Sequence, residues 1–284
     1  MGIKYLRKIL KEVIKPVLIE DLRGKRIGVD ASLSIYQTHV DKIESSSLRG
    51  IFYKIAAFRR QGIIPVYFFD GKPPALKDAV CAARKKKIEE GNGIKIPPGT
   101  FDDVRRLLQL LNIEYIESPG EAEAQAAHAT VHNFIDMVST EDIDALPFGA
   151  LKQCFGLKSN SKTVNVVMLA EVLAHLNISR QSFIDLCILL GSDYTTRTIR
   201  GVGPVSALKY IREHGSIEKI LTELKLKPDE GFCFKAAREE FLNPTVMEKY
   251  PEKRLQPVYD EDTLMRVSEF LKSKNVHVDV NKLK

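Results

Sequence analysis

Residues 26–36 read Arg-Ile-Gly-Val-Asp-Ala-Ser-Leu-Ser-Ile-Tyr. A short β-rich run, Arg26–Val29, ends on an acid, Asp30, and passes at once into a helical pattern. The same order returns at Ile64-Pro-Val-Tyr-Phe-Phe-Asp70. Continuous apolar runs of this length, separated by amphipathic stretches, are the signature of a parallel sheet buried on both faces by helices. Further strands are expected at Ile113–Ile116, Ile135–Val138 and Val164–Val167, and helices over Leu48–Arg60, Phe101–Leu111 and Glu121–His132. Beyond about Leu169 the strand pattern stops and the chain reads as mostly helical. The expected fold is α/β, a mostly parallel central sheet covered by helices, with a C-terminal helical region.

Composition is consistent with that size of core. The 284 residues are 44% hydrophobic and 8% aromatic, which excludes disorder as the main state. The formal charge of +6 points only weakly to an anionic partner. Cys81, Cys154, Cys187 and Cys233 form no C-x-x-C pair, so neither a zinc site nor a disulfide framework is implied, and a reducing compartment is expected. The N-terminus lacks a signal-peptide core and no run reaches membrane-spanning length, so an intracellular protein without a membrane partner is expected. Met1-Gly2 opens like a myristoylation site, but the sixth residue is Leu6.

The acids fall in a pattern. Asp30 and Asp70 end the first two strands, Glu121 and Glu123 follow the third in Ser-Pro-Gly-Glu-Ala-Glu, and Asp142 and Asp144 follow the fourth in Ser-Thr-Glu-Asp-Ile-Asp. All would emerge at the carboxyl edge of the sheet, where open α/β sheets form their ligand crevices. Any one of them alone is more simply a turn residue or helix cap. Together they would repel and raise one another's pKa unless cations neutralised them. Oxygen ligands without His or Cys suit hard ions such as Mg²⁺ or Mn²⁺. The expected site is a two-metal hydrolytic centre acting on phosphodiesters. With Asp193 as a seventh ligand, 30 of the 37 acids remain against 43 basic residues, so the body around the pit is strongly basic. Such a body suits nucleic acid.

Two further segments could act on it. Lys77 and Arg84 are seven residues apart, so they share a face if the segment is helical, and small residues lie between them. Starting just past Asp70, they could meet charge developing on a scissile phosphate. The Arg84-Lys-Lys-Lys87 run reads otherwise as a solvated basic helix running into a loop. Gly201-Val-Gly-Pro204 is a tight turn opening a helix, directly after Leu190-Gly-Ser-Asp193. Its glycines allow close backbone approach and the helix N-terminus offers free N–H donors, as in helix-hairpin-helix elements that grip duplex DNA.

Taken in order, "MGI", "DASLSIYQ", "VYFFDGKPPALK", "PGEAEAQAA", "STEDIDALPFG", "FIDLCILLGSDY" and "IRGVGP" resemble the flap endonucleases, the 5′-nuclease family that includes the xeroderma pigmentosum group G nuclease. The matches span residues 1–215. The resemblance implies a divalent-metal-dependent 5′ flap endonuclease and 5′→3′ exonuclease for DNA replication, repair or recombination. It implies two Mg²⁺ ions, replaceable by Mn²⁺, on Asp30, Asp70, Glu121, Glu123, Asp142, Asp144 and Asp193, with Lys77 and Arg84 as the catalytic pair of a gateway helix. Tyr36 would stack on a base near the cut, Gly2 would lie close to the active site, and Gly201 and Gly203 would grip uncut duplex beside a potassium ion. Residues 1–190 would form the nuclease core, with a gateway and cap over 71–111, and residues 191–284 a helical DNA-binding region packed on it as one unit. The expected partner is branched or nicked DNA with a free 5′ end, bound by a monomer.

Departures from the family pattern carry their own expectations. The stretch between Tyr36 and Leu48, which in relatives helps form a 3′-flap pocket, is short, and so is the cap segment from Ile88 to Phe101. Val205 and Ser206 stand where relatives often carry basic residues, and an additional residue falls within Thr195–Arg200, near the potassium site. No sliding-clamp box precedes Lys284, so a trimmed chain or a reduced, viral member is expected. The location would be the nucleus if cellular, or a cytoplasmic or nuclear replication site if viral. Competing readings are a related nuclease acting on RNA and a non-catalytic branched-DNA-binding protein. A haloacid-dehalogenase-like phosphatase would need an acid where Ser32 stands.

Overall fold

The structure is a computed structural model that describes residues 3, 5–40, 43, 45–157, 161–195 and 199–284. These form a seven-stranded sheet: β1 (Lys15–Leu18), β2 (Arg26–Asp30), β3 (Ile64–Phe69), β4 (Tyr115–Glu117), β5 (Met137–Ser139), β6 (Lys152–Phe155) and β7 (Thr163–Met168). The spatial order is β1-β7-β6-β5-β2-β3-β4. From β6 to β4 the neighbours are parallel, and β7 and β1 close the other edge with antiparallel pairings. The helices are α1 (Leu6–Ile9), α2 (Ala31–Thr38), α3 (Ser46–Gln61), α4 (Asp78–Glu89), α5 (Thr100–Leu110), α6 (Ala122–Val131), α7 (Leu169–Leu176), α8 (Arg180–Leu190), α9 (Pro204–His214), α10 (Ile217–Glu223), α11 (Phe234–Leu242) and α12 (Glu261–Ser273).

The apolar run of β3 shows why a strand here must be hydrophobic throughout. Side chains alternate between faces with period two. Val66 and Phe68 enter the core beneath α6 and α8, while Tyr67 and Phe69 enter the core beneath α3 and α5. Both cores are closed by helices, so every position of β3 after the half-buried Ile64 is buried. The C-terminal helix α12 belongs to the second core, through Leu264, Val267 and Leu271.

The sequence reading missed two strands. β6 contains Lys152 and Gln153 and is too short and mixed to show a period, yet Gln153 is fully buried. β1 is an exposed edge carrying Lys15 and Pro16, a position where proline is readily tolerated. β4 begins two residues later than expected, at Tyr115, although the Glu114 carbonyl already accepts the Tyr67 N–H of β3 at 3.0 Å. No strand of the sheet follows Met168 among the described residues. No described helix is long and apolar enough to cross a membrane.

Candidate active site

The carboxyl edge of the sheet delivers its acids one strand at a time. Asp30 is both the last residue of β2 and the N-cap of α2, where its Oδ1 accepts the Leu33 N–H at 2.8 Å. Asp70 follows β3, and its Oδ1 accepts the Ala122 N–H at the start of α6, at 2.9 Å. Two glycines permit that approach. The Gly71 N–H donates to the Gly120 carbonyl at 2.7 Å, and a Cβ on Gly71 would stand 2.1 Å from the Ser118 oxygen. A Cβ on Gly120 would stand 2.7 Å from the Thr245 carbonyl, which belongs to an extended strap between α11 and α12.

Glu121 is the N-cap of α6, with extended backbone, and its side chain makes no capping bond. Glu123 sits in the first helical turn and accepts from Thr140 Oγ1 at 3.2 Å. The Asp142 N–H donates to the same Thr140 hydroxyl at 3.2 Å, and its carbonyl accepts from Gln153 Nε2 at 2.5 Å. Asp144 Oδ1 accepts the Ile3 N–H at 2.8 Å, which brings the N-terminal segment to the site. Gly2 itself lies outside the described residues, as do residues 196–198 near the expected potassium site.

These six carboxylates and Asp193 line one open cleft of about 600 Å³, together with Lys77, Arg84 and Tyr36. Burial first, and then the charge of Asp70, pushes the Asp30 carboxyl up to about 7. Burial pushes Asp144 up to about 7 against the hydrogen bond from Ile3, with smaller help from the charges of Asp142 and Asp193. Glu123 is driven well above the usual range by burial and by Asp144 and Asp30. The donor set is carboxylate oxygen with no histidine in the lining, which fits hard divalent cations. Among the described residues, no three such side chains close around one point. They are spread along the cleft, several held by the protein contacts given above.

The cations stand opposite. Lys77 ends a 3₁₀ turn as the residue before α4, and Arg84 lies two turns further along. Lys77 Nζ contacts Glu121 Oε1 and lies 3.8 Å from Asp193 Oδ2, and Arg84 Nη2 lies 2.9 Å from the same oxygen. Burial lowers the Lys77 ammonium, but Glu121, with Asp193 and Glu123 behind it, carries it above its ordinary value. α4 buries none of its residues, so it stands as a free basic helix over the cleft. Tyr36 projects from α2, 38% exposed, into the same space.

Three participants escaped the sequence reading. Tyr194 is buried and donates its hydroxyl to Glu121. Thr140 links Glu123 to the Asp142 backbone, as described. Lys54 of α3 donates to Ser34 Oγ at 2.8 Å, and burial lowers it to about 8 against the pull of Asp30 and Glu141. Helical periodicity alone would put Lys54 on a solvated face; Tyr194 had at least its place beside Asp193 as a signal.

The hairpin lies away from the cleft. Gly201 adopts a left-handed φ of +82°, and the Val202 N–H bonds to the Ile199 carbonyl at 3.1 Å. Gly203 is the extended N-cap of α9, its N–H bonded to Ser206 Oγ at 2.9 Å, with Pro204 in the first turn.

The same order of motifs is found in known proteins. The XPG N-terminal domain matches residues 1–91 and the XPG I-region residues 112–193. Flap endonuclease 1 of Nematostella vectensis is 35% identical over 87% of this chain and 76% of its own length. The chain belongs to the flap endonuclease family. It is therefore a nuclease of a divalent-metal-dependent family. The catalytic core of Rad2 in complex with DNA substrate superposes with a TM-score of 0.84 at 27% identity, covering 99% of this chain and 97% of that one. Flap endonuclease-1 from Methanococcus jannaschii gives 0.76 at 25% identity, covering 99% and 98%. These likenesses span both the sheet and the C-terminal helices.

Proposed function

We propose that the protein is a structure-specific 5′ nuclease that cuts branched or nicked DNA carrying a free 5′ end, as a flap endonuclease and 5′→3′ exonuclease. The observation that carries this reading is the convergence of seven carboxylates and two gateway cations on one cleft. Asp30, Asp70, Glu121, Glu123, Asp142, Asp144 and Asp193 would hold two Mg²⁺ ions, with Mn²⁺ able to replace them. When bound, such ions polarise a phosphodiester and lower the pKa of an attacking water. Lys77 and Arg84, freed from their carboxylate partners, would meet the charge on the reacting phosphate. Tyr36 would stack on the base beside it.

Residues 1–190, joined by Asp193, would carry this chemistry and the rest of residues 191–284 the grip on uncut duplex. There Gly201 and Gly203 let the backbone approach a phosphate, with a potassium ion beside the turn. The chain would act as a monomer, at a site of DNA replication or repair, in the nucleus for a cellular protein.

Asp142→Asn tests the reading. It removes one charged ligand and leaves the basic surface, which supplies most sequence-independent affinity, intact. Cleavage of a labelled 5′-flap substrate in Mg²⁺ should fall by more than about a hundredfold, beyond the usual cost of losing a ligand's support alone. Flap binding by gel shift should persist. Cleavage retained by the variant overturns the assignment, and matched RNA flaps distinguish a ribonuclease.

A further inference from the structure

The residue after Asp193 stands at the junction of everything the site has to align. Tyr194 is 5% exposed, and its hydroxyl donates to Glu121 Oε2. The other oxygen of that carboxylate contacts Lys77 Nζ. The same Lys77 ammonium lies 4.9 Å from the centroid of the Tyr194 ring, within cation–π range. One side chain therefore touches a cation-binding carboxylate with its hydroxyl and the gateway lysine with its face.

The ring is itself fixed. Its centroid is 4.9 Å from that of Phe241 and 6.2 Å from that of Phe148, both edge-on, and Phe148 and Phe241 are 5.0 Å apart. Phe241 comes from α11 and Phe148 from the loop after β5, so the trio joins the C-terminal helices to the sheet. An aromatic wedged between two others has little rotational freedom, so its hydroxyl is held at one point beside the N-terminus of α6. Next to it, Asp193 holds Arg84 at 2.9 Å. Two consecutive residues thus receive both gateway cations.

We infer that Tyr194 is a positioning residue for the nuclease reaction: it orients Glu121 toward the cation site and seats Lys77 beside it. The inference rests on the proposed function. Its physical content is pre-organisation. A carboxylate with one oxygen bonded to a fixed hydroxyl presents the other in a defined direction, and such supporting bonds raise cation affinity and rate. A lysine seated on a π face needs no search to reach the phosphate.

The decisive variant is Tyr194→Phe, which keeps the ring, its edge contacts and the cation–π seat and removes only the hydroxyl. On a 5′-flap substrate kcat should fall about tenfold to hundredfold, with KM for DNA unchanged. In the absence of DNA, Mn²⁺ binding followed by electron paramagnetic resonance should shift to higher concentration by a similar factor. Tyr194→Leu, which also removes the π face, should lose a further increment of kcat. Thermal unfolding of both variants reports whether the fold is kept, and the Mn²⁺ isotherm of Tyr194→Phe remains readable even if Tyr194→Leu unfolds. Wild-type kcat and Mn²⁺ affinity in Tyr194→Phe overturn the inference. If Asp142→Asn still cleaves, the functional reading fails instead; if Asp142→Asn is inert while Tyr194→Phe is normal, only the positioning role fails.

Discussion

Asp30 shows how one carboxylate can be an ordinary helix cap and something more. Its bond to the Leu33 N–H would satisfy any account of the start of α2. The cap does not explain why burial and Asp70 hold the group up to about 7, against an ordinary 3.8. Between those two values the folded protein keeps a proton that the unfolded chain has released. Stability therefore falls as pH rises through this window; the group's contribution is fully present below about 4 and lost above about 7. Asn caps helices as well as Asp does and carries no charge. In EDTA, Asp30→Asn should unfold at a higher temperature than the wild type at pH 8. The gain should be on the order of 1–3 kcal/mol, since a tenfold change in proton affinity corresponds to about 1.4 kcal/mol and neighbouring acids share the effect. At about 2–4 °C per kcal/mol this is readable by circular dichroism. The gain should shrink steadily towards pH 5, and Mg²⁺ should stabilise the wild type far more than the variant. A Tm difference independent of pH would remove the electrostatic account of the pit.

At the scale of elements, the C-terminal helices are locked to one another by charge as well as by apolar contact. Asp185 of α8 is fully buried, accepts the Ile217 N–H of α10 at 3.1 Å, and is gripped by Arg238 of α11 at 2.6 and 2.8 Å. Arg238 reaches Glu218 of α10 as well, at 2.8 Å. Since α8 runs directly into Asp193 and Tyr194, this tie sets where two site residues emerge. Arg238→Met would strand a buried carboxylate and should cost about 3–5 kcal/mol in urea unfolding. The pair Asp185→Leu with Arg238→Met should recover part of that loss, because no charge is left unpaired. A double variant less stable than the single one would rule this out. None of this was legible in sequence: Asp185 and Arg238 are 53 residues apart and carry no local pattern. The strands β2 and β3 were legible, because burial on both faces forces an unbroken apolar run. β6 was not, because the buried Gln153 breaks the run in order to bond the Asp142 carbonyl. The acids were legible as a set through their common place after strands. Their alignment by Thr140, Lys54 and Tyr194 depends on contacts that only folding creates.

For the molecule as a whole, an acid-lined cleft is set in a basic body, with a single exposed helix, α4, over the opening. The connections around the cleft are short: α2 ends at Thr38 and α3 opens at Ser46, and α4 ends at Glu89 with α5 opening at Thr100. In the family the first of these regions helps build a pocket for a one-nucleotide 3′ flap, and the second a helical cap. A connection of this length leaves little surface with which to bind a displaced 3′ nucleotide. The chemistry proposed for the cleft would need only a free 5′ end and a duplex to hold. Discrimination by a pocket comes from contacts made to the right end and lost with the wrong one. Where the pocket is reduced, both substrates should be treated alike. We therefore expect the protein to cut a 5′ flap at nearly equal kcat/KM whether or not the junction carries a one-nucleotide 3′ flap. Single-turnover rates on the two junctions, matched in sequence and salt, decide the matter. A tenfold preference for the double flap would mean about 1.4 kcal/mol of recognition, and the 3′ end would then have to be held by surfaces other than the shortened connection.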